Sequence, residues 1–185
     1  MNLPNKITLA RVGLIPVFLF VYLTQPLSEV PNMWLALIIF SVASITDGID
    51  GYVARKYKLI SNFGKLMDPL ADKLLVSAAF IAFVASGTLP AWVVVLLISR
   101  EFFVSGLRQL AVEQGIVLAA SPSAKFKTVT QIVLIIYMLL PIQMFRFDWL
   151  VVALVVVTTL ASLYSGVEYA VRNRKVFTAA HTSKD

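Results

Sequence analysis

The chain has 185 residues, of which 59% are hydrophobic and 14% charged, and its mean hydropathy is +0.84. This composition excludes an ordinary soluble domain and predicts an all-α membrane protein, because runs of about 20 apolar residues recur along the chain. The absence of cysteine excludes disulfides and thiolate metal sites, and the net charge of +6 indicates contact with membrane lipids rather than nucleic acid.

Six apolar segments predict a polytopic protein with six transmembrane helices. The predicted spans are residues 8–24, 34–54, 69–87, 90–109, 126–143 and 149–170. Most lysines and arginines fall at ends and loops that six alternating spans place on one side, which the positive-inside rule assigns to the cytoplasm. Both termini are therefore predicted to be cytoplasmic, with one membrane domain at residues 1–175 and a polar tail at residues 176–185.

The first polar pattern overlaps the start of the first span, in "NLPNKITLAR", where Asn5, Thr8 and Arg11 follow one another at intervals of three. We expect a short N-terminal interfacial helix that leads into the first span. Arg11 fits two roles equally well at this point, as a functional cation or as a positive anchor at the membrane surface.

Four aspartates follow at the end of the second span and the start of the third. Asp47 and Asp50 are three residues apart, and Asp68 and Asp72 are four apart, so each pair occupies one face of its helix. The two helices are consecutive and joined by a short connection, which makes them antiparallel neighbours. We therefore expect the two acidic faces to converge near the cytoplasmic side.

Four converging carboxylates predict a divalent cation, because their mutual repulsion must be neutralised. Oxygen ligands without histidine or cysteine nearby favour Mg²⁺ or Mn²⁺ over zinc. Gly51, Ala54 and Gly64 would let a ligand approach the helix backbone, and Arg55 would meet an anion. The alternative is a network of salt bridges with neighbouring basic residues, which four carboxylates on two ordered faces make the weaker interpretation.

A second polar group lies on the fourth span and at the start of the fifth. It consists of four basic residues, Arg100, Arg108, Lys125 and Lys127. Together they predict a site for an anionic, phosphate-bearing substrate, with Glu101 orienting Arg100 through a salt bridge. For Arg108 and Lys127, ordinary positive-inside placement stays open as the alternative.

The acidic segment is similar to the signature of the CDP-alcohol phosphotransferase family. Eight positions match, in the order Asp47-x-x-Asp50-Gly51-x-x-Ala54-Arg55, eight further residues, then Gly64-x-x-x-Asp68-x-x-x-Asp72. The resemblance implies six transmembrane helices, a homodimer, and transfer of a substituted phosphate from a CDP-alcohol to a hydroxyl group with release of CMP. An intramembrane prenyltransferase and a small cation transporter are the alternatives from other classes.

The same resemblance implies the roles of individual residues. Two divalent ions, Mg²⁺ or Mn²⁺, would be bound by Asp47, Asp50, Asp68 and Asp72, with Asp72 also the general base. The expected contacts to the CDP-alcohol, here CDP-diacylglycerol, are Asn5, Thr8, Asp47, Asp50, Gly51, Ala54, Arg55, Gly64 and Asp68.

Segments outside the signature carry a further resemblance, which indicates the acceptor. "NLPNKITLARV", "SREFFVSGLR" and "KFKTVTQ" resemble bacterial members of the family that use CDP-diacylglycerol as donor and sn-glycerol 3-phosphate as acceptor. This implies that Arg100, Arg108, Lys125 and Lys127 bind the acceptor phosphate, and that the protein lies in the bacterial cytoplasmic membrane with its active site facing the cytoplasm. Cardiolipin, phosphatidylinositol-phosphate and phosphatidylserine synthases of the family stay open as alternatives.

Overall fold

The computed structural model describes residues 3–56, 62–116, 121–141 and 148–174, with the backbone alone at residues 3–6, 47–56, 62–66, 68–69 and 148. Within these ranges the chain forms six helices and no strand. They are α1 (Leu3–Thr24), α2 (Glu29–Lys56), α3 (Asn62–Ala85), α4 (Ala91–Glu113), α5 (Pro122–Leu139) and α6 (Asp148–Arg172). The predicted all-α class is confirmed, whereas the polar tail at residues 176–185 lies outside the described residues.

The N-terminal segment differs from the prediction. The expected short interfacial helix is not a separate element, because α1 is one continuous helix from Leu3 to Thr24. The physical reason is the lack of a helix breaker: Pro4 lies in the first turn, where proline is tolerated, and no other proline occurs before Pro16.

The second helix is longer than predicted, since it begins at Glu29 and ends at Lys56. Its 28 residues correspond to about 42 Å at 1.5 Å per residue, against about 30 Å for the hydrocarbon core of a bilayer. The C-terminal turns, which carry Asp47 and Asp50, can therefore extend beyond the apolar layer while the rest of α2 crosses it.

The described helices fall into two compact units, the first of which contains α1, α2, α3 and the last turn of α5. In this unit α1 packs against both α2 and α3. The Phe18 ring lies 6.1 Å from the Phe40 ring, and the Tyr22 ring lies 5.5 Å from the Phe83 ring, both measured between centroids. Near its C-terminus, α1 is tied to the beginning of α2, where Asn32 Nδ2 donates to the carbonyl of Val21 at 2.7 Å.

The second unit contains α4, α6 and α5 up to Leu134. Helices α4 and α6 pack against each other, with Val104, Leu107 and Tyr169 forming a buried apolar cluster. The contacts of α5 with α6 show that these two helices run in opposite directions. Ser123, near the start of α5, donates to the carboxylate of Glu168, and Thr158 donates to the carbonyl of Thr130 at 3.3 Å.

The distribution of side chains differs from that of a soluble protein. Large apolar side chains such as Phe20, Ile45 and Phe102 are exposed on the helix surfaces, while polar side chains such as Arg11 and Arg100 are buried. Three helices are long and apolar enough to cross a membrane, over Ile7–Thr24, Glu29–Thr46 and Trp149–Arg172. The chain therefore has the character of a membrane protein.

The other three helices are less apolar than these three stretches, because charged residues lie among their apolar ones. The charged residues are Lys65, Asp68, Asp72 and Lys73 on α3, Arg100, Glu101, Arg108 and Glu113 on α4, and Lys125 and Lys127 on α5. Charged side chains inside a spanning helix lower its hydropathy and usually mark function. The six spans and the cytoplasmic termini thus stay predictions, and two of the three less apolar helices, α4 and α5, carry the predicted acceptor-binding residues.

Candidate active site

The aspartates of the acidic segment lie on adjoining ends of two consecutive helices. Asp47 and Asp50 are in the last turns of α2, and Asp68 and Asp72 are in the first turns of α3. The two helices contact each other within the first unit. The antiparallel direction of the pair stays a prediction, and among these four side chains only that of Asp72, which is half-buried, is described.

The first unit also holds two buried polar residues of α1. Thr8 and Arg11 are each only 1% exposed, and Arg11 is among the largest fully buried side chains of the described residues. A cation at the membrane surface would keep its guanidinium in contact with water or headgroups. The burial of Arg11 therefore favours a role inside the protein over that of a surface anchor.

The donor set of the acidic segment fits a hard divalent cation. It offers carboxylate oxygens alone, without histidine or cysteine in the segment, on adjoining ends of contacting helices. Among the side chains that the structure describes, no group of three or more acidic, histidine or cysteine residues could hold a metal ion. The side chains of Asp47, Asp50 and Asp68 lie outside that description, as do those of Asn5, Gly51, Ala54, Arg55 and Gly64.

In the second unit, Arg100 and Lys127 are brought together by one carboxylate. Arg100 is 8% exposed and Lys127 is 5% exposed, so both cations are buried. Oε1 of Glu101 accepts from Nη1 of Arg100 at 3.2 Å and also from Nζ of Lys127. The expected salt bridge between Glu101 and Arg100 is present, and Lys127 joins it from α5, which the sequence did not predict.

The burial of Lys127 favours a role inside the protein over ordinary positive-inside placement. A lysine that only orients the protein in the membrane would extend toward headgroups or water. Lys127 instead donates into the interior, next to Arg100, where two cations share Glu101. A pair of buried, convergent cations is a suitable arrangement for binding an anion such as a phosphate group.

The other two predicted basic residues have different environments. Arg108 is exposed, but its Nε donates to the hydroxyl of Tyr169 at 3.1 Å and its guanidinium carbon lies 5.6 Å from the Tyr169 ring centroid. Lys125 is exposed near the start of α5. The predicted basic group therefore divides into a buried pair, an arginine held on an aromatic ring, and an exposed lysine.

Helix α6 contributes polar residues that the sequence analysis missed. Thr158, Ser162, Ser165 and Tyr169 are all buried, although they belong to one of the most apolar helices. Their spacing of four, three and four residues follows the helical period, so they form one stripe along α6. This periodicity of small polar residues in an apolar helix was the available signal, since such residues often pair between membrane helices.

Comparison with known proteins agrees with this geometry. The sequence profile described as CDP-alcohol phosphatidyltransferase matches residues 1–161, a range that includes the whole acidic signature. The chain belongs to the CDP-alcohol phosphatidyltransferase family. The first four helices and α5 lie entirely within the matched region, as do all the basic residues discussed above.

Individual members of the family are similar over most of the chain. A protein of Bacillus subtilis named CDP-diacylglycerol–glycerol-3-phosphate 3-phosphatidyltransferase is 45% identical over 93% of this chain and 95% of its own length. A protein of Rickettsia bellii with the same name is 42% identical over 70% of each chain. A Mycobacterium tuberculosis protein named "Probable phosphatidylglycerophosphate synthase" is 38% identical over 92% of this chain and 81% of its own.

Proposed function

We propose that this phosphatidyltransferase moves the phosphatidyl group of CDP-diacylglycerol to sn-glycerol 3-phosphate, which gives phosphatidylglycerophosphate and CMP. The observation that carries the proposal is the 45% identity, over nearly the full length of both chains, to a relative named for this reaction. Relatives from two further bacterial genera carry names of the same activity. The similarity extends beyond the signature, so it includes the helices that bear the acceptor residues.

The buried pair of cations supports an acceptor that carries a phosphate group. Arg100 and Lys127 share Glu101 inside the second unit, and a phosphate monoester with about two negative charges would interact with both. A neutral acceptor hydroxyl compound would leave these cations without a matching group. Arg108 and Lys125 are assigned to the same phosphate subsite as additional cations.

The donor is assigned to the acidic segment. Asp47, Asp50, Asp68 and Asp72 would hold Mg²⁺ or Mn²⁺, in the two-ion arrangement that the family resemblance implies. When bound, these ions supply neutralisation of charge on the phosphate oxygens, which is the main requirement of phosphoryl-type transfer. The small residues Gly51, Ala54 and Gly64 would admit the cytidine and its pyrophosphate, with Arg55, Asn5 and Thr8 as further contacts.

The transfer itself requires one proton acceptor. A hydroxyl oxygen of sn-glycerol 3-phosphate forms a bond to the phosphorus that bears the diacylglycerol, and the bond from that phosphorus to the bridging oxygen of CMP breaks. The electron pair of the broken bond leaves with CMP, and the hydroxyl proton passes to the carboxylate of Asp72. Asp72 is half-buried on α3, one helical turn after Asp68.

The test is release of CMP by the purified protein in mixed micelles with CDP-diacylglycerol and Mg²⁺. Glycerol 3-phosphate, inositol phosphate, serine and phosphatidylglycerol are supplied one at a time, and Asp72→Asn is the matched control because it keeps the size of the side chain. We expect CMP release with glycerol 3-phosphate alone, and its loss in Asp72→Asn. Release with a different acceptor would refute the acceptor assignment, and release by Asp72→Asn at the wild-type rate would refute the proposed base.

We also propose that all six helices cross the bacterial cytoplasmic membrane, with both termini and the active site on the cytoplasmic side. Contacts within each unit support alternating directions, since two contacts of each pair show that α2 runs opposite to α1 and that α5 runs opposite to α6. Trp34, Trp92 and Trp149 support a common outer side, because each is exposed near the start of its helix, where aromatic residues favour the interface.

This topology can be tested with single cysteines, because the natural chain has none. In intact cells a membrane-impermeant maleimide should label Thr88→Cys, in the connection between α3 and α4, and should spare Glu113→Cys at the end of α4. Both should react after the cells are opened. Labelling of Glu113→Cys in intact cells would refute the orientation.

A homodimer is the proposed assembly, and its support is the family resemblance. Light scattering of the protein in detergent, corrected for bound detergent, should give twice the chain mass of 20.4 kDa. A single chain per particle under conditions that preserve activity would refute the dimer.

A further inference from the structure

The buried polar stripe of α6 faces the two helices that carry the proposed acceptor residues. Ser165 contacts Arg100 of α4, Tyr169 contacts Arg108 of α4, and Thr158 contacts α5. None of these three α6 residues belongs to the family signature or to the basic group. Two of them, Ser165 and Tyr169, nevertheless contact the side chains of basic residues of that group.

The contact with Arg100 is close and directional. Nη2 of Arg100 donates to Oγ of Ser165 at 2.6 Å, and both side chains are buried. The next residue, Gly166, exposes bare backbone to the same arginine. A Cβ atom at Gly166 would lie 3.0 Å from Cγ of Arg100 and 3.6 Å from its Nε, closer to Cγ than Cβ atoms normally approach other atoms.

The contact with Arg108 uses a different chemistry. The hydroxyl of Tyr169 accepts from Nε of Arg108, and the aromatic ring lies beneath the guanidinium. Tyr169 itself is 2% exposed and is packed against Val104 and Leu107, so its position is fixed. The exposed arginine is thus held by a rigid partner.

We propose that Ser165, Gly166 and Tyr169 are positioning residues of the acceptor subsite, which hold Arg100 and Arg108 in the arrangement that binds the acceptor phosphate. The inference rests on the proposed function and names residues of α6 that would act only through the two arginines. A long cationic side chain that is already held in its binding conformation loses less conformational freedom when the ligand arrives. Loss of these contacts should therefore weaken acceptor binding and leave donor binding unchanged.

The first test compares two glycines of the second unit. Gly166→Ala places a methyl group against Arg100, whereas Gly106→Ala on α4 places the same group in open space, with nothing within 4 Å. Both substitutions favour the helix equally, so their difference reports the contact with Arg100. We expect KM for glycerol 3-phosphate to rise about fivefold in Gly166→Ala, which is the effect of weakening one charge-assisted hydrogen bond. Gly106→Ala should keep the wild-type KM.

The second test compares two substitutions of Ser165. Ser165→Ala removes the hydroxyl that accepts from Arg100, and we expect KM for glycerol 3-phosphate to rise about tenfold or more. Ser165→Thr keeps the hydroxyl and adds a methyl group, so its KM should lie closer to the wild-type value although the residue is larger. In both variants kcat should change by less than about twofold, and KM for CDP-diacylglycerol should stay constant, because uniform binding of one substrate is affected.

The results separate this inference from the proposed function. The acceptor that supports CMP release by the wild-type protein decides the function, and the change in KM for that acceptor in the variants decides the role of α6. Wild-type KM in both Ser165→Ala and Gly166→Ala would overturn the inference. A loss of kcat with both KM values unchanged would also overturn it, because that is the pattern of a merely structural role. If Gly166→Ala does not fold, as judged by gel filtration in detergent, the pair at Ser165 decides alone.

Discussion

Glu101 contacts both Arg100 and Lys127, and Glu101→Gln tests how much this trio depends on its carboxylate. In the wild-type protein two positive charges and one negative charge give the trio a net charge of +1. The substitution raises this to +2 between two residues that are less than one tenth exposed. Removal of one partner from a buried ion pair costs about 3–5 kcal/mol. Since the side chain of Glu101 is 17% exposed, we expect the lower end, about 3 kcal/mol.

This loss is measurable as thermal unfolding of the protein in detergent. For a chain of this length, 1 kcal/mol corresponds to about 2–4 °C, so Glu101→Gln should lower Tm by about 6–12 °C. Glu113→Gln is the matched control, since Glu113 lies exposed at the end of the same helix. Adding Lys127→Met to Glu101→Gln returns the net charge to +1 and should recover more than about 0.5 kcal/mol relative to additive effects. An unchanged Tm in Glu101→Gln, or strict additivity in the double variant, would refute the proposed coupling.

Three further predictions address the metal ions, the aromatic support and the fold. Removal of divalent ions with EDTA should abolish CMP release, and Mg²⁺ or Mn²⁺ should restore it; activity that persists in excess EDTA would contradict the carboxylate site. Tyr169→Phe keeps the ring but removes the hydroxyl that accepts from Arg108, so KM for glycerol 3-phosphate should rise about threefold, whereas an unchanged KM would exclude this hydrogen bond from acceptor binding. Asn32→Ala removes the buried bond to Val21, which should lower stability by about 1–2 kcal/mol in thermal unfolding with KM unchanged, and a changed KM would show that α2 acts on the site.

The sequence predicted the helices well because each is a local pattern. Apolar runs separated by short polar connections fix the number and order of the helices, and the six observed helices follow the six predicted spans. The start of α1 and the length of α2 were misjudged for a common reason. Hydropathy marks the part of a helix that suits a bilayer, whereas a helix continues through polar residues until the backbone is interrupted.

The pairing between helices could not be predicted from local patterns. Arg100 and Ser165 are 65 residues apart, and Lys127 and Glu101 are 26 residues apart, so neither contact is encoded by helical spacing. The pair Arg100 and Glu101 was predicted because the residues are adjacent. In the sequence, a serine such as Ser165 is a weaker indication of a functional position than a charged residue. Ser165 nevertheless accepts a hydrogen bond from the guanidinium of Arg100.

The hydrogen bonds of Arg100 indicate why its supports would not prevent it from binding a phosphate. A guanidinium has five N–H donors. In the structure one N–H of Nη1 binds Glu101 and one of Nη2 binds Ser165, while Nε faces the bare backbone at Gly166. Within the described part of the chain three N–H groups are left, one on each terminal nitrogen and one on Nε, and a two-point contact with phosphate oxygens requires two.

An arginine in an apolar interior must have partners both with and without its ligand, since an unsatisfied buried guanidinium would be strongly destabilising. Glu101 and Ser165 provide such partners for the two terminal nitrogens before the acceptor arrives, whereas the buried Nε has none among the described residues. The acceptor then adds contacts to a cation that is already held, and its affinity reflects those added contacts alone. Loss of Ser165 would therefore have its main effect on the affinity for the acceptor. Loss of Glu101 would in addition leave the repulsion between Arg100 and Lys127 uncompensated, and this repulsion would destabilise the unit itself.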